Sequence, residues 1–510
     1  MSNAKLAAFA PLVLAFAAGC ATITNETAPV AAAPVPPPRA DDDPAEAAAR
    51  YMQRIAALDD AGPQLNAVIA LSGEAQAAIA EARTLPLQGR AVLVKDNIET
   101  RELPTTAGSL ALAGNITGRD APLIARLREA GGVVLGKANL SEWANIRSSN
   151  STSGWSAVGG LTRNPHAIDR NTCGSSSGSG AAVAAGFAWA AIGTETDGSI
   201  TCPASINGIV GFKPTVGLVS RTHVVPISSS QDTAGPMTRN VADAAMLLNA
   251  ISGSDQADPA MAEAAARRVD YTAGLADASL QGVRIGVLTN QIGNRADVRA
   301  VFEQALADLK QAGAVLVDLA YDPPAEMYRD ELTVLLYELR TGMDAYLSSL
   351  PGENLPRSLA ELVAFNRANA AEEMRWFGQD LFEQALETTD EGAYLAARAN
   401  SLRLAGAEGI DRLLAENDVS LLAVPTRGPA WVSDLVNGDN FDGSIGAGSL
   451  AAIAGYPHLT VPMGAVERLP VGISFMGAKW QDHEVLKAGA AYEKVRSAMI
   501  PEPSFERWEP

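Results

Sequence analysis

Residues 172–182, TCGSSSGSGAA, and residues 193–201, GTETDGSIT, are two runs of small and polar residues separated by one apolar, alanine-rich segment. Such runs build no core. Glycine lets backbone approach a ligand closely or adopt φ > 0, and serine supplies hydroxyls that can act as nucleophile, relay or hydrogen-bond donor. A Gly/Ser run also reads as a flexible linker. The apolar segment Ala181 to Ile192, directly after the first run, argues against a linker and for two turns that form walls of one site.

Working outward, short apolar runs bounded by Gly, Pro or charge predict strands at Val92 to Val94, Val133 to Leu135, Val283 to Leu288, Val315 to Leu319, Leu421 to Val424 and Val471 to Met476. Helical periodicity falls between them, at Ala121 to Ala130, Val241 to Ile251 and Val298 to Ala312. This alternation predicts an α/β fold whose sheet is covered on both faces. A chain of 510 residues, 47% of them hydrophobic, can bury a large core. With no internal repeat or second linker, it reads as a single large domain. The net charge of −19, without clustered Lys and Arg, opposes nucleic-acid binding, and none is expected.

The N-terminus predicts export. Lys5 precedes an apolar run from Leu6 to Ala18, and Ala17-Ala18-Gly19-Cys20 resembles a bacterial lipobox, which makes residues 1–20 a signal peptide and Cys20 the site of lipid attachment. Alanine at Ala17 departs from the usual leucine, and a simple secretory signal is the alternative. Ala21, rather than aspartate, after Cys20 points to an outer-membrane anchor facing the periplasm. Residues 21–44, rich in Ala and Pro, form an extended linker in this reading, and the folded body runs from 45 to 510.

A serine needs a base. The four histidines, His166, His223, His458 and His483, show no metal-ligand spacing, and the three cysteines are too scattered for a zinc site. Gly174-Ser175-Ser176-Ser177-Gly178 fits G-x-S-x-G, which nominates Ser176 with His458 or His483 as base, although any Gly/Ser-rich run makes that match easily. Lys95 is the other candidate. It ends the apolar run from Ala91, and an ammonium there is open to desolvation, which lowers its pKa and frees a neutral amine.

Together, VLVKDNIETRELPTTAGS, CGSSSGSGAAVAAG, GTETDGSITCPASINGIVGFKPTVGLVSR, SQDTAGPMTRNVADAAMLL and AGYPHLTVPMGAVERLPVGISFMG resemble the amidase signature family from about Ala45 to Glu493. GKANLSEWAN, SGWSA and GTETDGSI are most similar to its peptide amidase branch. The resemblance implies one large α/β domain with a mixed central β-sheet. It also implies amide hydrolysis by a Ser-Ser-Lys triad, with Ser199 as nucleophile, Ser175 as proton relay in a cis peptide bond, and Lys95 as base. The backbone amides of Thr196, Asp197, Gly198 and Ser199 would form the oxyanion hole, Ser176 would support the triad by hydrogen bonding, and no metal, cofactor or obligate protein partner is implied.

Some positions depart from the family pattern. Cys173 stands where many members have glycine, and with Cys202 it reads either as a small core residue or as half of a disulfide. Asp197 replaces a common glycine and would bias the pocket against carboxylates. From Ser252 to Asn417, Tyr328, Tyr337, Tyr346, Trp376, Phe377 and Phe382 lie in helical patterns and predict core packing. In the family this region shapes the substrate funnel, and substrate choice is expected there and around Trp431. Two other activities fit the motifs: a carbamate or ester hydrolase on the same scaffold, and a transamidase subunit acting with partners on charged transfer RNA, which the export signal and acidic charge oppose.

Overall fold

The computed structural model describes residues 36–38 and 42–509. Residues 1–35 and 39–41, with the expected signal sequence, Cys20 and most of the expected linker, lie outside the described residues. The first helix spans Pro44–Leu58, capped by Asp43 Oδ1 accepting from the Ala45 N–H at 2.9 Å. It buries Tyr51, Ile55 and Leu58.

Thirteen strands are present among the described residues: β1 (Val68–Leu71), β2 (Ala91–Lys95), β3 (Val133–Ala138), β4 (Trp155–Ser156), β5 (Gly160–Leu161), β6 (Ala190–Glu195), β7 (Val210–Lys213), β8 (Thr233–Thr238), β9 (Arg284–Leu288), β10 (Val315–Leu319), β11 (Leu421–Pro425), β12 (His458–Val466) and β13 (Leu469–Met476). Eleven form one sheet in the order β1-β3-β2-β6-β8-β7-β12-β13-β11-β9-β10, and β4 pairs with β5. The sheet is mixed. β3-β2-β6 and β11-β9-β10 pair in parallel, and an antiparallel block joins the two sets.

Both faces are covered, for the reason the strand period dictates. Along β2, Val92 and Val94 join one core cluster while Ala91 and Leu93 join another on the opposite face. The first cluster packs the helices Pro122–Glu129, Val241–Ile251, Ala296–Gln311 and Asp482–Val495; the second packs Pro44–Leu58 and Ser177–Ala184.

Helices Ala325–Ser348, Leu359–Ala368 and Asp380–Glu387 build a further apolar cluster, with Tyr346 and Phe382 buried as expected. Trp376 and Phe377 are corrections, because they lie in the bend before Asp380 and not in a helix. Phe377 is still buried, edge-on to Trp155. Tyr328 is 43% exposed rather than core, since its helix turns that face outward.

Candidate active site

β2 ends in Lys95, and the neighbouring β6 carries Thr194 two residues beyond the paired stretch. Lys95 is fully buried. Its Nζ lies 2.8 Å from Thr194 Oγ1, 3.2 Å from Thr194 O and 2.7 Å from Ser175 Oγ. Asn97 Nδ2 also donates to Thr194 Oγ1, at 3.0 Å. Burial pulls the Lys95 ammonium down to about 7, against the carboxylates of Asp232 and Glu195, which favour the charged form. Near neutrality both forms are therefore populated.

Ser175 sits between the cis Gly174–Ser175 peptide bond and the helix Ser177–Ala184. A Cβ on Gly174 would come 2.1 Å from Ser141 Oγ, so the close approach requires glycine. The Ser141 N–H donates to Ser175 O at 3.0 Å and holds the turn from the other side. Ser176 turns to β6, where its hydroxyl donates to Thr194 O at 3.0 Å and accepts from the Thr194 N–H at 3.2 Å. Neither nominated histidine bonds to it. His458, driven down to about 3 by burial and by Lys213, pairs with Ser474 Oγ at 2.6 Å, and His483 bonds to Ala273 O at 2.8 Å.

The second turn leaves β6 at Glu195 and enters the helix Thr201–Ile206, with Gly198 at φ 76°. Glu195 Oε2 accepts from the N–H groups of Ile200 at 2.8 Å and Thr201 at 2.9 Å, and from Thr201 Oγ1 at 3.2 Å. Asp232 holds the other end of the turn, accepting from Thr196 Oγ1 at 2.6 Å. The sequence reading missed both acids. Glu195 ends β6 and lies six residues before Thr201, outside the spacing of a capping residue, so like Asp232 it is brought to the turn by tertiary packing alone. The N–H groups of Thr196, Asp197, Gly198 and Ser199 have no acceptor among the described residues. All four residues line a cavity of about 240 Å³, together with Gly174. Ser199 is 9% exposed and opens onto it, whereas Ser175 and Lys95 are fully buried.

Cys173 and Cys202 form a disulfide, Cα–Cα 6.0 Å, that ties the segment before Ser175 to the helix after Ser199. Asp197 is exposed to the cavity and its Oδ2 accepts from Ser449 Oγ at 2.6 Å. The enclosing protein and the nearby Glu195 nevertheless push its carboxyl pKa up. Among the described residues no group of three or more His, Cys, Asp and Glu side chains is placed to hold a metal ion.

A buried amine hydrogen-bonded to one serine, and a second serine on a turn of unbonded amides, thus lie at one end of a mixed sheet, and the chain belongs to the amidase signature family. The family model described as Amidase matches residues 46–486. The chain is an amidase that hydrolyses amide C–N bonds. A peptide amidase from Stenotrophomonas maltophilia is 48% identical with a TM-score of 0.86, covering 91% of this chain and 96% of that one. A peptide amidase bound to the competitive inhibitor chymostatin is 49% identical with a TM-score of 0.87 over the same shares. A probable amidase of Arabidopsis thaliana is 37% identical over 465 residues, 87% of this chain and 85% of that protein.

The comparisons correct the expected localisation in the periplasm and outer membrane. The relatives are amidases of a plant and of fungi, together with glutamyl-tRNA(Gln) amidotransferase A subunits, and none is described as exported or lipidated. An apolar run with an alanine at Ala17 was a weak signal for such an anchor. No helix among the described residues is long and apolar enough to cross a membrane.

Proposed function

We propose that the chain hydrolyses the C-terminal carboxamide of peptides, with Ser199 as nucleophile, Ser175 as relay and Lys95 as base, within one catalytic body spanning residues 45–510. The observation that carries this reading is the 2.7 Å contact between Lys95 Nζ and Ser175 Oγ in a fully buried setting. A neutral amine has two N–H donors and one lone pair. Thr194 O and Oγ1 take the donors, which leaves the lone pair for the Ser175 proton.

Ser175 passes its proton to Lys95 and receives that of Ser199 as Ser199 Oγ bonds to the substrate carbonyl carbon. The negative charge that develops on oxygen meets the N–H groups of Thr196 to Ser199, whose lack of acceptors fits an oxyanion hole. Collapse breaks the C–N bond, and the relay returns the proton to nitrogen, which leaves as ammonia or an amine. Water then attacks the acyl-Ser199 ester by the same route and gives a carboxylic acid and free Ser199. Ser176 keeps β6, and so Thr194, in place.

Two features support peptide amides as substrates: the likeness to peptide amidases and the acidic wall. Asp197 and Asp439 both line the cavity. When ionised, these two carboxylates outnumber the single Arg427 guanidinium on the same cavity, and the net negative charge disfavours a free carboxylate product. The test is hydrolysis of a panel of C-terminally amidated peptides, fatty amides, anilides, carbamates and esters, with product masses read directly. Peptide amides should give the highest kcat/KM; a carbamate or ester ranking above them would contradict the assignment.

A further inference from the structure

The loop after β11 carries Arg427, whose guanidinium has neither a hydrogen-bond acceptor nor an ion-pair partner among the described residues. Its planar group lies over the Phe441 ring, 4.5 Å from the centroid. The carboxylates near it are engaged elsewhere. Asp197 is held by Ser449, and Asp439 accepts from the Ser153 N–H at 3.1 Å and from Trp431 Nε1 at 3.2 Å. A guanidinium presents five N–H donors in one plane, and stacking its face on a ring leaves that edge available.

The position of this edge gives it a role. Arg427, Trp431 and Phe441 line the cavity that holds Ser199, and the same three line an outer groove of about 460 Å³. The inner cavity, about 240 Å³, falls below the ~300–1,000 Å³ usual for a ligand site, whereas the groove continues it past Arg427. When a carboxamide is cleaved the leaving group is ammonia, which needs no groove. Whatever fills the outer space therefore belongs to the acyl side.

We infer that Arg427 is a specificity residue that donates to a main-chain carbonyl of the acyl chain as it passes from the inner cavity into the outer groove. The enzyme thereby selects peptidyl amides over simple alkyl amides. This rests on the peptide-amide reading above. A neutral carbonyl suits the site better than a carboxylate, because Asp197 and Asp439 lie within electrostatic reach of the guanidinium and, when ionised, repel a further anion. Every peptide offers such a carbonyl whatever its side chains, so the contact selects for length and not for sequence.

The test compares wild type, Arg427→Gln and Arg427→Ala on N-acetyl-alanyl-leucinamide and on 4-methylpentanamide, which keeps the leucine side chain but lacks the second carbonyl. The anilide of N-acetyl-alanyl-leucine extends the amine side. Both variants should lose roughly ten- to a hundred-fold in kcat/KM on the peptide amide, the range for a hydrogen bond to a charged group, and stay within about twofold on 4-methylpentanamide. Gln keeps a polar stem on Phe441 should Ala disturb the loop. Equal losses on both amides, no loss on the peptide amide, or a loss confined to the anilide would overturn the inference. Wild type that hydrolyses 4-methylpentanamide but no peptide amide would refute the peptide-amide reading itself, and the inference with it.

Discussion

Replacing Asp232 by asparagine should move the acid limb of activity toward lower pH. The limb arises because only neutral Lys95 can accept the Ser175 proton. A free lysine, at ~10.4, is neutral in roughly one molecule in 2,500 at pH 7. With burial bringing Lys95 to about 7, around half is neutral, a gain of roughly a thousandfold in available base. For wild type, kcat/KM should thus rise about tenfold per pH unit below the midpoint and level off roughly one unit above it. Burial sets this value, and the negative charges of Asp232 and Glu195 oppose it. Removing the Asp232 charge should therefore lower the midpoint, on the order of one unit. The substitution can be accommodated locally. Asparagine Oδ1 can accept from the N–H groups of Ile227 and Ser228, now 2.8 and 2.9 Å from Asp232 Oδ2, while its amide donates to Thr196 Oγ1. The assay is the pH profile of kcat/KM on a neutral peptide amide for wild type, Asp232→Asn, Lys95→Ala and Lys95→Arg. Both Lys95 variants should be nearly inactive, Lys95→Ala because it carries no amine and Lys95→Arg because guanidinium stays protonated. A midpoint that stays put or moves up in Asp232→Asn, or near-normal activity in Lys95→Arg, would mean that Lys95 is not the base.

Other outcomes follow from the packing around the two turns. Gly174→Ala puts a methyl 2.1 Å from Ser141 Oγ, and the overpacking should cost ~1–3 kcal/mol, read as a lower midpoint in denaturant with activity falling too. The Cys173–Cys202 pair closes a 29-residue span, for which loop entropy gives ~3–4 kcal/mol. The Cys173→Ala/Cys202→Ala protein should be less stable by about that amount, and reductant should destabilise wild type but not the double variant.

Much of the fold was legible where the residues are branched and apolar. The expected strand at Val315 to Leu319 is β10, and the expected helix at Val241 to Ile251 is found over those residues. β6 and β8 were missed. β6 reads AAIGTE, with alanine and glycine in place of strand formers, and β8 contains Gly235 and Pro236, which punctuate a sequence reading. Burial on both faces, not propensity, makes them strands. At the site, the sequence grouped Lys95, Ser175 and Ser199 through motifs, and the structure brings Lys95 to Ser175 and opens Ser199 to the cavity. Asp232 and Arg427 were not legible, since their partners Thr196 and Phe441 are set only by the tertiary fold. Sequence left the Cys173 and Cys202 thiols open between core and disulfide because it carries no distance.

In the proposed triad Ser199, and not the neighbouring Ser176, attacks the substrate. Reaction with a fluorophosphonate, followed by mass mapping of the modified peptide, separates the two serines. One adduct should form on Ser199, disappear together with turnover in Ser199→Ala, a drop on the order of a million-fold, and survive in Ser176→Ala. An adduct that persists in Ser199→Ala and disappears in Ser176→Ala would contradict the triad.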